Sequence, residues 1–144
     1  MYGFDGGKKV KGRKRHVVVD SRGLLIGVLV TEANASERSG AVVVLDEAKE
    51  KLNKLEVVWV DQGYSGKNFA TAVQQVCGEG VRVEVIQRTS EAFEQLPKQW
   101  IVERTFGWLN RFRRLSKDYE VYSEGSEAMI YSTLMRLMLR RLVA

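Results

Sequence analysis

Residues 97–118 read PKQWIVERTFGWLNRFRRLSKD and predict an amphipathic helix. This helix carries the residues from which the rest of the chain is interpreted. Pro97 suits the first helical turn, because its φ is fixed near the helical value and its missing N–H would have no intrahelical partner there. Apolar residues follow at the spacing of one helix face, namely Val102, Phe106, Leu109 and Phe112. A second face carries polar and small residues at the same spacing, namely Glu103, Gly107, Asn110 and Arg114.

Glu103 is the only acid between residues 97 and 116. Basic residues surround it in the sequence: Lys98, Arg104, Arg111, Arg113, Arg114 and Lys117. One interpretation is a surface helix on which Glu103 pairs with a neighbouring arginine, an interaction worth a few tenths of a kcal/mol. The other is a carboxylate that holds a metal ion beside a phosphate backbone bound by the arginines. The helix by itself favours the first interpretation.

The bulk composition is that of one globular domain spanning residues 1–144. This length is sufficient to bury a core, and 44% hydrophobic and 28% charged residues are ordinary values for such a domain. Cys77 is the single cysteine, so an internal disulfide is excluded and nothing requires an oxidising compartment. The basic N-terminus has no signal-peptide core, and no apolar run approaches membrane-spanning length. We therefore expect a cytoplasmic protein without a membrane partner.

The net charge of +5 is distributed unevenly. Residues 1–22 carry seven Lys/Arg against two acids, residues 23–97 carry seven against eleven, and residues 98–144 carry nine against five. If the two basic ends meet in the fold, they form the positive surface that is typical of nucleic-acid binders. Basic termini can also serve only solubility, but the clustering in KKVKGRKRH, residues 8–16, favours nucleic acid.

Apolar runs and turn signals predict the element order β-β-α-β-α-β-α-α. Residues 1–12 are rich in Gly and Lys and predict an irregular lead-in. Two β-rich runs at 13–20 and 24–31 predict a hairpin that bends at Asp20–Gly23. A helix is predicted next, capped by Asn34 or Ser36 and reaching about residue 53. After it we predict a strand at 57–60, a helix at 66–76, a strand at 81–86 and a connector before Pro97. Beyond the helix that starts at Pro97, a final helix is predicted, capped by Ser123 or Ser126.

Asp61 directly follows four consecutive apolar residues, Val57–Val60, which predict a strand buried on both faces. Gly63, Tyr64 and Gly66 follow it and predict a turn into the next helix. Ligands of open α/β sheets bind beyond the carboxyl ends of strands, so Asp61 is a candidate metal ligand. A carboxylate that only caps the turn is an equally good interpretation at this point.

Three segments of this chain closely resemble bacterial insertion-sequence transposases of the DDE class: residues 2–41, VVWVDQGYSG at 57–66 and WIVERTFGWLNRFRRLSKDYE at 100–120. The resemblance implies an α/β ribonuclease H-like fold, a mixed sheet with helices on both faces, that cuts and rejoins double-stranded DNA at element ends with Mg²⁺ or Mn²⁺. It makes Asp61 the second catalytic Asp and Glu103 the catalytic Glu, both of them metal ligands. Basic residues expected to contact DNA are Lys8, Lys9, Lys11, Arg13, Lys14, Arg15, Arg104, Arg111, Arg113 and Arg114.

The chain departs from the family pattern in two ways. The family's first catalytic Asp lies on a central strand that precedes the segment matching residues 2–41, and neither Asp5 nor Asp20 takes its place. Related transposases also often carry an Arg and a Lys where Gln99 and Asn110 stand here. The resemblance therefore implies a catalytic domain that is incomplete at its N-terminus and lacks the central strand. By itself, such a chain is expected to bind DNA but not to cleave it.

Three interpretations follow from the sequence. The first is a catalytic fragment that joins an upstream polypeptide supplying the missing strand and Asp. The second is a non-catalytic DNA-binding or transposase-inhibiting protein. The third is an assembly in which two copies pair their exposed strand edges, and a homo-oligomer is expected in general.

Overall fold

In a computed structural model of the chain, residues 3–5, 10–86, 97–115 and 119–143 are described. The strands are β1 (Gly3–Asp5), β2 (Val10–Val19), β3 (Leu25–Glu32), β4 (Val57–Val60) and β5 (Arg82–Val85). The helices are α1 (Glu37–Ala48), α2 (Lys67–Cys77), α3 (Pro97–Asn110) and α4 (Ser123–Val143), with 3₁₀ turns at Lys49–Lys51 and Gln62–Tyr64. The predicted α/β class is confirmed, while the connector predicted before Pro97 lies outside the described residues.

The strands form two small sheets with helices on both faces. One sheet has the antiparallel order β1-β2-β3, and in the other β4 and β5 pair in parallel. Alternate residues of β2 enter different clusters, because neighbouring side chains of a strand point to opposite faces. Val17 packs into a cluster with α3 and α4, whereas Val18 packs into a cluster with α1 and α2.

The predicted hairpin is confirmed and is fixed at its bend by Asp20. The Oδ1 atom of Asp20 accepts hydrogen bonds from Arg22 N (2.8 Å) and Leu24 N (2.9 Å). Gly23 adopts φ +82°, a region that glycine enters without strain. Thr105 of α3 donates its hydroxyl to the carbonyl of Gly23 at 2.7 Å, so helix α3 is attached to this bend.

The predicted irregular lead-in at 1–12 is wrong in part, because β1 lies within it and β2 begins at Val10. Gly3 pairs with Gly12, and Phe4 pairs with Lys11. Strand pairing uses main-chain hydrogen bonds, which form whatever the side chains are. A segment of glycines and lysines therefore enters a sheet without any alternation that sequence analysis could detect.

The helix predicted over 97–118 ends earlier, at Asn110. Beyond it the chain makes tight turns, in which Phe112 N donates to Leu109 O and Leu115 N donates to Phe112 O. Arg114 therefore does not extend the helical face that carries Glu103. Elsewhere, Ser36 is the α1 cap and accepts from Ser39 N at 3.4 Å, and α4 begins at Ser123, which leaves Ser126 buried inside the helix.

Strand β4 is not buried on both faces as predicted, because Trp59 is 42% exposed. The Nζ atom of Lys98 lies 3.6 Å from the centre of the Trp59 ring, so the start of α3 covers this strand with a cation rather than with an apolar layer. Among the described residues, no helix is long and apolar enough to span a membrane.

Gly40 of α1 and Gly107 of α3 give a matched stability prediction. A methyl group on Gly40 would lie 2.5 Å from Cε1 of the buried His16, whose Nε2 is hydrogen-bonded to the Thr31 hydroxyl at 2.7 Å. Gly40→Ala is therefore expected to lower the free energy of unfolding by about 1–3 kcal/mol. Gly107 has no such neighbour within 4 Å, so Gly107→Ala is expected to raise it by about 0.5–1 kcal/mol. Urea unfolding of both variants tests the pair, and a stabilised Gly40→Ala would contradict the packing of His16 on α1.

Candidate functional site

Asp61 stands at the carboxyl end of β4 and caps the turn that follows. Its backbone is extended (φ −80°, ψ 178°), and its Oδ1 accepts a hydrogen bond from Gly63 N at 2.9 Å. The side chain is exposed, and the structure records no partner for Oδ2 among the described residues. The capping interpretation is therefore confirmed, but capping uses one carboxylate oxygen and leaves the other available to a ligand.

The first turn of α1 lies against the Asp61 turn. Arg38 donates its Nε–H to the carbonyl of Gly63 at 3.0 Å, which ties the turn to the helix. A methyl group on Gly63 would lie 3.1 Å from Asp61 Oδ1 and 3.9 Å from Glu37 Oε2, so both carboxylates border this glycine. Glu37 is thus a second acid beside Asp61 that the sequence analysis missed. Its only local signal is its place directly after the Ser36 cap.

The pKa of Tyr64 is affected by the two carboxylates of this region. Burial, together with the negative charges of Glu37 and Asp61, raises the pKa of Tyr64 to about 12. The phenol therefore stays protonated at neutral pH and offers a hydrogen-bond donor rather than a third negative group. Its ring packs against Phe69 of α2 with a centroid separation of 5.5 Å.

Glu103 lies on the exposed side of α3. The helix carrying it is held at two points, by Lys98 over Trp59 next to the Asp61 end of β4 and by Thr105 at the hairpin bend. The elements that bear the two predicted catalytic acids are therefore neighbours. No recorded contact joins Asp61 directly to Glu103.

Mg²⁺ and Mn²⁺ prefer oxygen ligands, and exposed carboxylates such as those of Asp61 and Glu103 fit that preference. The described part of the chain contains no group of three or more His, Cys, Asp or Glu side chains that could together hold a metal ion. The two acids thus match the chemistry of such an ion as partial ligands, and further ligands would have to come from outside this set.

The basic side chains predicted to bind DNA fall into different environments. Arg13 donates to the carbonyls of Glu120 and Val121, and Arg15 donates to the carbonyl of Leu115 at 2.9 Å. Lys14 contacts the carbonyl of Ala35 (3.1 Å) and the carboxylate of Glu37 (3.9 Å). These three residues therefore hold parts of this chain together, and their role in DNA binding stays a prediction.

Arg104 lies between two tryptophans on α3, with its Cζ 4.9 Å from the ring centres of both Trp100 and Trp108. It also donates to the carbonyl of Arg22 at the hairpin bend. The sequence analysis expected Arg111, Arg113 and Arg114 on or near α3, and they lie in the exposed turns after its end. Lys8 and Lys9 fall outside the described residues, as does the side chain of Lys11.

Comparison with known proteins agrees with these motifs. The family model described as "Transposase DDE domain" matches residues 1–139. A protein of Burkholderia cepacia with the name "Putative transposase for insertion sequence element IS402" is 29% identical over 117 residues. That match covers 76% of this chain and 54% of the relative, so the chain spans about half of the relative's length. No solved structure matches the chain. The chain belongs to the DDE-domain family of insertion-sequence transposases.

Proposed function

We propose that this chain is the C-terminal part of a ribonuclease H-like transposase catalytic domain, and that the complete domain cleaves DNA and transfers strands at element ends. The observation that carries the proposal is the position of Asp61, at the end of a parallel strand with one carboxylate oxygen uncommitted. Asp61 and Glu103 would hold Mg²⁺ or Mn²⁺, and the bound ion would activate the attacking oxygen and stabilise the leaving oxygen of a phosphodiester.

The remaining residues of the site have supporting roles in this proposal. Arg38 fixes the Asp61 turn through the Gly63 carbonyl, so the carboxylate keeps one orientation. The exposed arginines after α3 would neutralise the phosphates of double-stranded DNA. We further propose that the domain acts as a homo-oligomer on two element ends.

The outer edge of β3 shows how this fold covers exposed backbone groups. Val28 N donates to the Tyr131 hydroxyl (3.2 Å), Val30 N donates to Glu127 Oε1 (2.9 Å), and the carbonyl of Ile26 accepts from Lys51 Nζ (3.4 Å). An edge satisfied in this way does not need another strand.

The other side of β2 is different, because β1 pairs only with residues 10–12 and leaves the rest of that side of the strand without a neighbour among the described residues. Val17 and Arg15 of β2 lie directly opposite Val28 and Val30. When two residues lie directly opposite each other in an antiparallel pair, their N–H and C=O groups either all point into the space between the two strands or all point away from it. Since the Val28 and Val30 amides point outward, those of Val17 and Arg15 point away from β3, and the described residues supply no hydrogen bond to them.

Strand β4 has a similar open edge. Arg82 N donates to Glu56 O and Ile86 N donates to Val60 O, so the even-numbered residues of β4 face β5. The backbone groups of Val57 and Trp59 therefore face away from β5, where no partner is recorded within the described segments. These two open edges support an additional strand between β2 and β4, and we propose that an upstream polypeptide provides it together with the first catalytic Asp.

A nicking assay on supercoiled plasmid tests the proposal. The purified chain is expected to retard plasmid migration, less so as salt rises, and to leave the plasmid intact in Mg²⁺. Adding the polypeptide encoded directly upstream is expected to produce nicks. The nicks should disappear with Asp61→Ala and persist with Asp46→Ala, an exposed acid of α1 that carries the same charge. If the chain alone nicks the plasmid and Asp61→Ala abolishes the nicks, the proposal that the catalytic domain is incomplete is refuted. If the chain does not bind the plasmid, its proposed function on DNA is refuted.

The open edges also favour a second candidate, a non-catalytic protein that assembles through them. Two copies that paired their β2 or β4 edges would satisfy the same backbone groups without any upstream polypeptide. Size-exclusion chromatography at micromolar concentration separates the two candidates. Edge pairing predicts a dimer that the upstream polypeptide neither joins nor dissociates, whereas the first candidate predicts a complex that contains this polypeptide.

A further inference from the structure

Arg104 of α3 binds the hairpin bend through its guanidinium group. Its Nη2 atom donates to the carbonyl of Arg22, and the hydroxyl of Thr105 donates to the carbonyl of Gly23 at 2.7 Å. A methyl group on Gly23 would lie 3.0 Å from Arg104 Nη2 and 3.1 Å from Thr105 Oγ1, so both donors converge on this glycine. Two consecutive side chains of α3 therefore bind two consecutive carbonyls of the bend, and a rotation of the helix would break both bonds.

Aromatic rings hold the same guanidinium group along the helix. The centres of the Trp100 and Trp108 rings, one turn before and one turn after, both lie 4.9 Å from Arg104 Cζ. Arg141 of α4 lies over the Trp108 ring with its Cζ 4.4 Å from the ring centre. A guanidinium group stacks on aromatic rings because it is planar and weakly hydrated, whereas the ammonium group of lysine is a compact, strongly hydrated charge. These rings and cations therefore form a continuous series that joins α3 to α4.

The same contacts occupy one edge of the Arg104 guanidinium group. Its Nε atom is buried and has no hydrogen-bond partner among the described residues, while the neighbouring Nη2 atom is bound to the carbonyl of Arg22. An arginine that binds phosphate with two parallel hydrogen bonds needs an open edge of this kind. The occupied edge favours a role for Arg104 inside the protein over a contact with DNA.

The contacts of α3 with the bend also determine where Glu103 points. Successive residues of a helix are turned by about 100°, so Thr105 lies about 160° from Glu103 around the helix axis. With Thr105 buried against the bend, Glu103 faces the opposite, exposed side. Lys98 over Trp59 holds the first turn of the same helix beside β4, the strand that ends before Asp61. A rotation of α3 would therefore move the Glu103 carboxylate relative to Asp61.

We propose that Arg104 is a positioning residue of the candidate site. Its guanidinium group fixes the rotation of α3 on the hairpin bend and thereby the direction of the Glu103 carboxylate, and in this role it touches neither the metal ion nor DNA. The part that concerns Glu103 rests on the proposed function, in which Glu103 is a metal ligand. The anchoring of α3 does not rest on it and can be measured on this chain alone.

Fluorine NMR of the chain labelled with 5-fluorotryptophan tests the anchoring, because each of the three tryptophans gives its own resonance. Arg104→Lys keeps the charge but loses the planar group. It is expected to shift the resonance of Trp59, since a rotation of α3 moves Lys98 over that ring, although no recorded contact within the described residues joins Arg104 to Trp59. Arg136→Lys is the same exchange at an exposed position of α4 and should leave the Trp59 resonance in place.

Fluorescence anisotropy with a labelled DNA duplex tests whether Arg104 contacts phosphate. Arg104→Gln and Arg136→Gln each remove one positive charge, and we expect both to keep the wild-type affinity within about twofold and to leave its dependence on salt unchanged. An arginine bound to phosphate would behave differently, because its loss makes the slope of log affinity against log salt less steep by about 0.9.

Cleavage by the complete domain tests the effect on Glu103. Arg104→Lys is expected to lower the rate by about 10–100-fold and to raise the Mn²⁺ concentration that gives half of the maximal rate, because the carboxylate is displaced. A loss of folded protein alone would lower the rate without changing that concentration. Trp100→Leu removes one of the two rings beside Arg104 and should act in the same direction, whereas Trp100→Phe keeps a ring and should resemble the wild type. If circular dichroism shows that Arg104→Lys does not fold, Trp100→Leu replaces it in the NMR and cleavage measurements.

Three results would overturn the inference: an unmoved Trp59 resonance in Arg104→Lys, a less steep salt dependence in Arg104→Gln than in Arg136→Gln, or an unchanged Mn²⁺ requirement for cleavage. If the wild-type complete domain neither binds nor cleaves DNA, the proposed function is refuted and the role of Arg104 toward Glu103 is refuted with it. The Trp59 resonance still decides in that case whether Arg104 anchors α3.

Discussion

Replacing Asp61 by asparagine is expected to lower the rate of Mg²⁺-dependent cleavage by roughly 10³-fold in any preparation of this domain that cleaves DNA. This loss is larger than the roughly 10–100-fold expected for a residue that only positions a ligand of the metal ion. Asparagine keeps an Oδ1 atom that can accept from Gly63 N, so the turn after β4 should persist. The negative charge is lost, and with it most of the attraction for a divalent cation. Cleavage rates measured with Mg²⁺ and with Mn²⁺ test this prediction.

A substitution of Glu37 is the control that distinguishes loss of a metal ligand from loss of any neighbouring carboxylate. The Glu37 carboxylate borders Gly63 beside Asp61 and lies 3.9 Å from Lys14 Nζ. We assign it a positioning role, so Glu37→Gln is expected to reduce cleavage by at most about 10–100-fold. A loss equal to that of Asp61→Asn would instead make Glu37 a metal ligand. A small loss in Asp61→Asn itself would refute the catalytic assignment.

Local chemistry made much of the fold predictable from sequence. The hairpin follows from two β-branched runs joined by Asp20 and Gly23, and both residues act in the structure as their chemistry requires. The α1 cap was narrowed to Asn34 or Ser36, and Ser36 takes the role. The place of Asp61 after β4 was predictable for the same reason, because strand, acid and glycine turn are consecutive in the sequence.

Contacts between distant segments were not predictable. The contact of Arg13 and Arg15 with DNA stays a prediction, but sequence analysis did not foresee that their guanidinium groups bind backbone carbonyls about a hundred residues later. A side chain's partner depends on which segments the fold brings together, and no local pattern contains that information. Glu37 was missed for this reason, since its position beside Asp61 exists only when α1 packs against the turn after β4.

The early end of α3 has a related cause. The sequence from Arg111 to Leu115 has the composition of a helix, but Leu115 is 2% exposed and belongs to the cluster between the hairpin and α4. Ending the helix at Asn110 allows Leu115 to enter that cluster. Burial of one leucine thus outweighs a helical preference of a few tenths of a kcal/mol per residue.

Leu109→Ala is expected to lower the free energy of unfolding by about 2–5 kcal/mol, a large part of the 5–15 kcal/mol available to a typical domain. Leu109 is fully buried and packs with Val28, Ile130 and Leu134, so its removal leaves a cavity that joins α3, α4 and the hairpin. Urea unfolding measures the loss.

Leu139→Ala is the matched control, because Leu139 is 55% exposed on α4 and its truncation should change stability by less than about 0.5 kcal/mol. Equal effects of the two substitutions would contradict the packing of α3 on the hairpin. The comparison also bears on the proposed site, since Glu103 stands on α3 about 1.7 turns before Leu109 and the position of the helix depends on the same packing. A destabilised Leu109→Ala protein that remains folded should therefore lose metal-dependent cleavage in the complete domain more steeply than it loses binding to DNA.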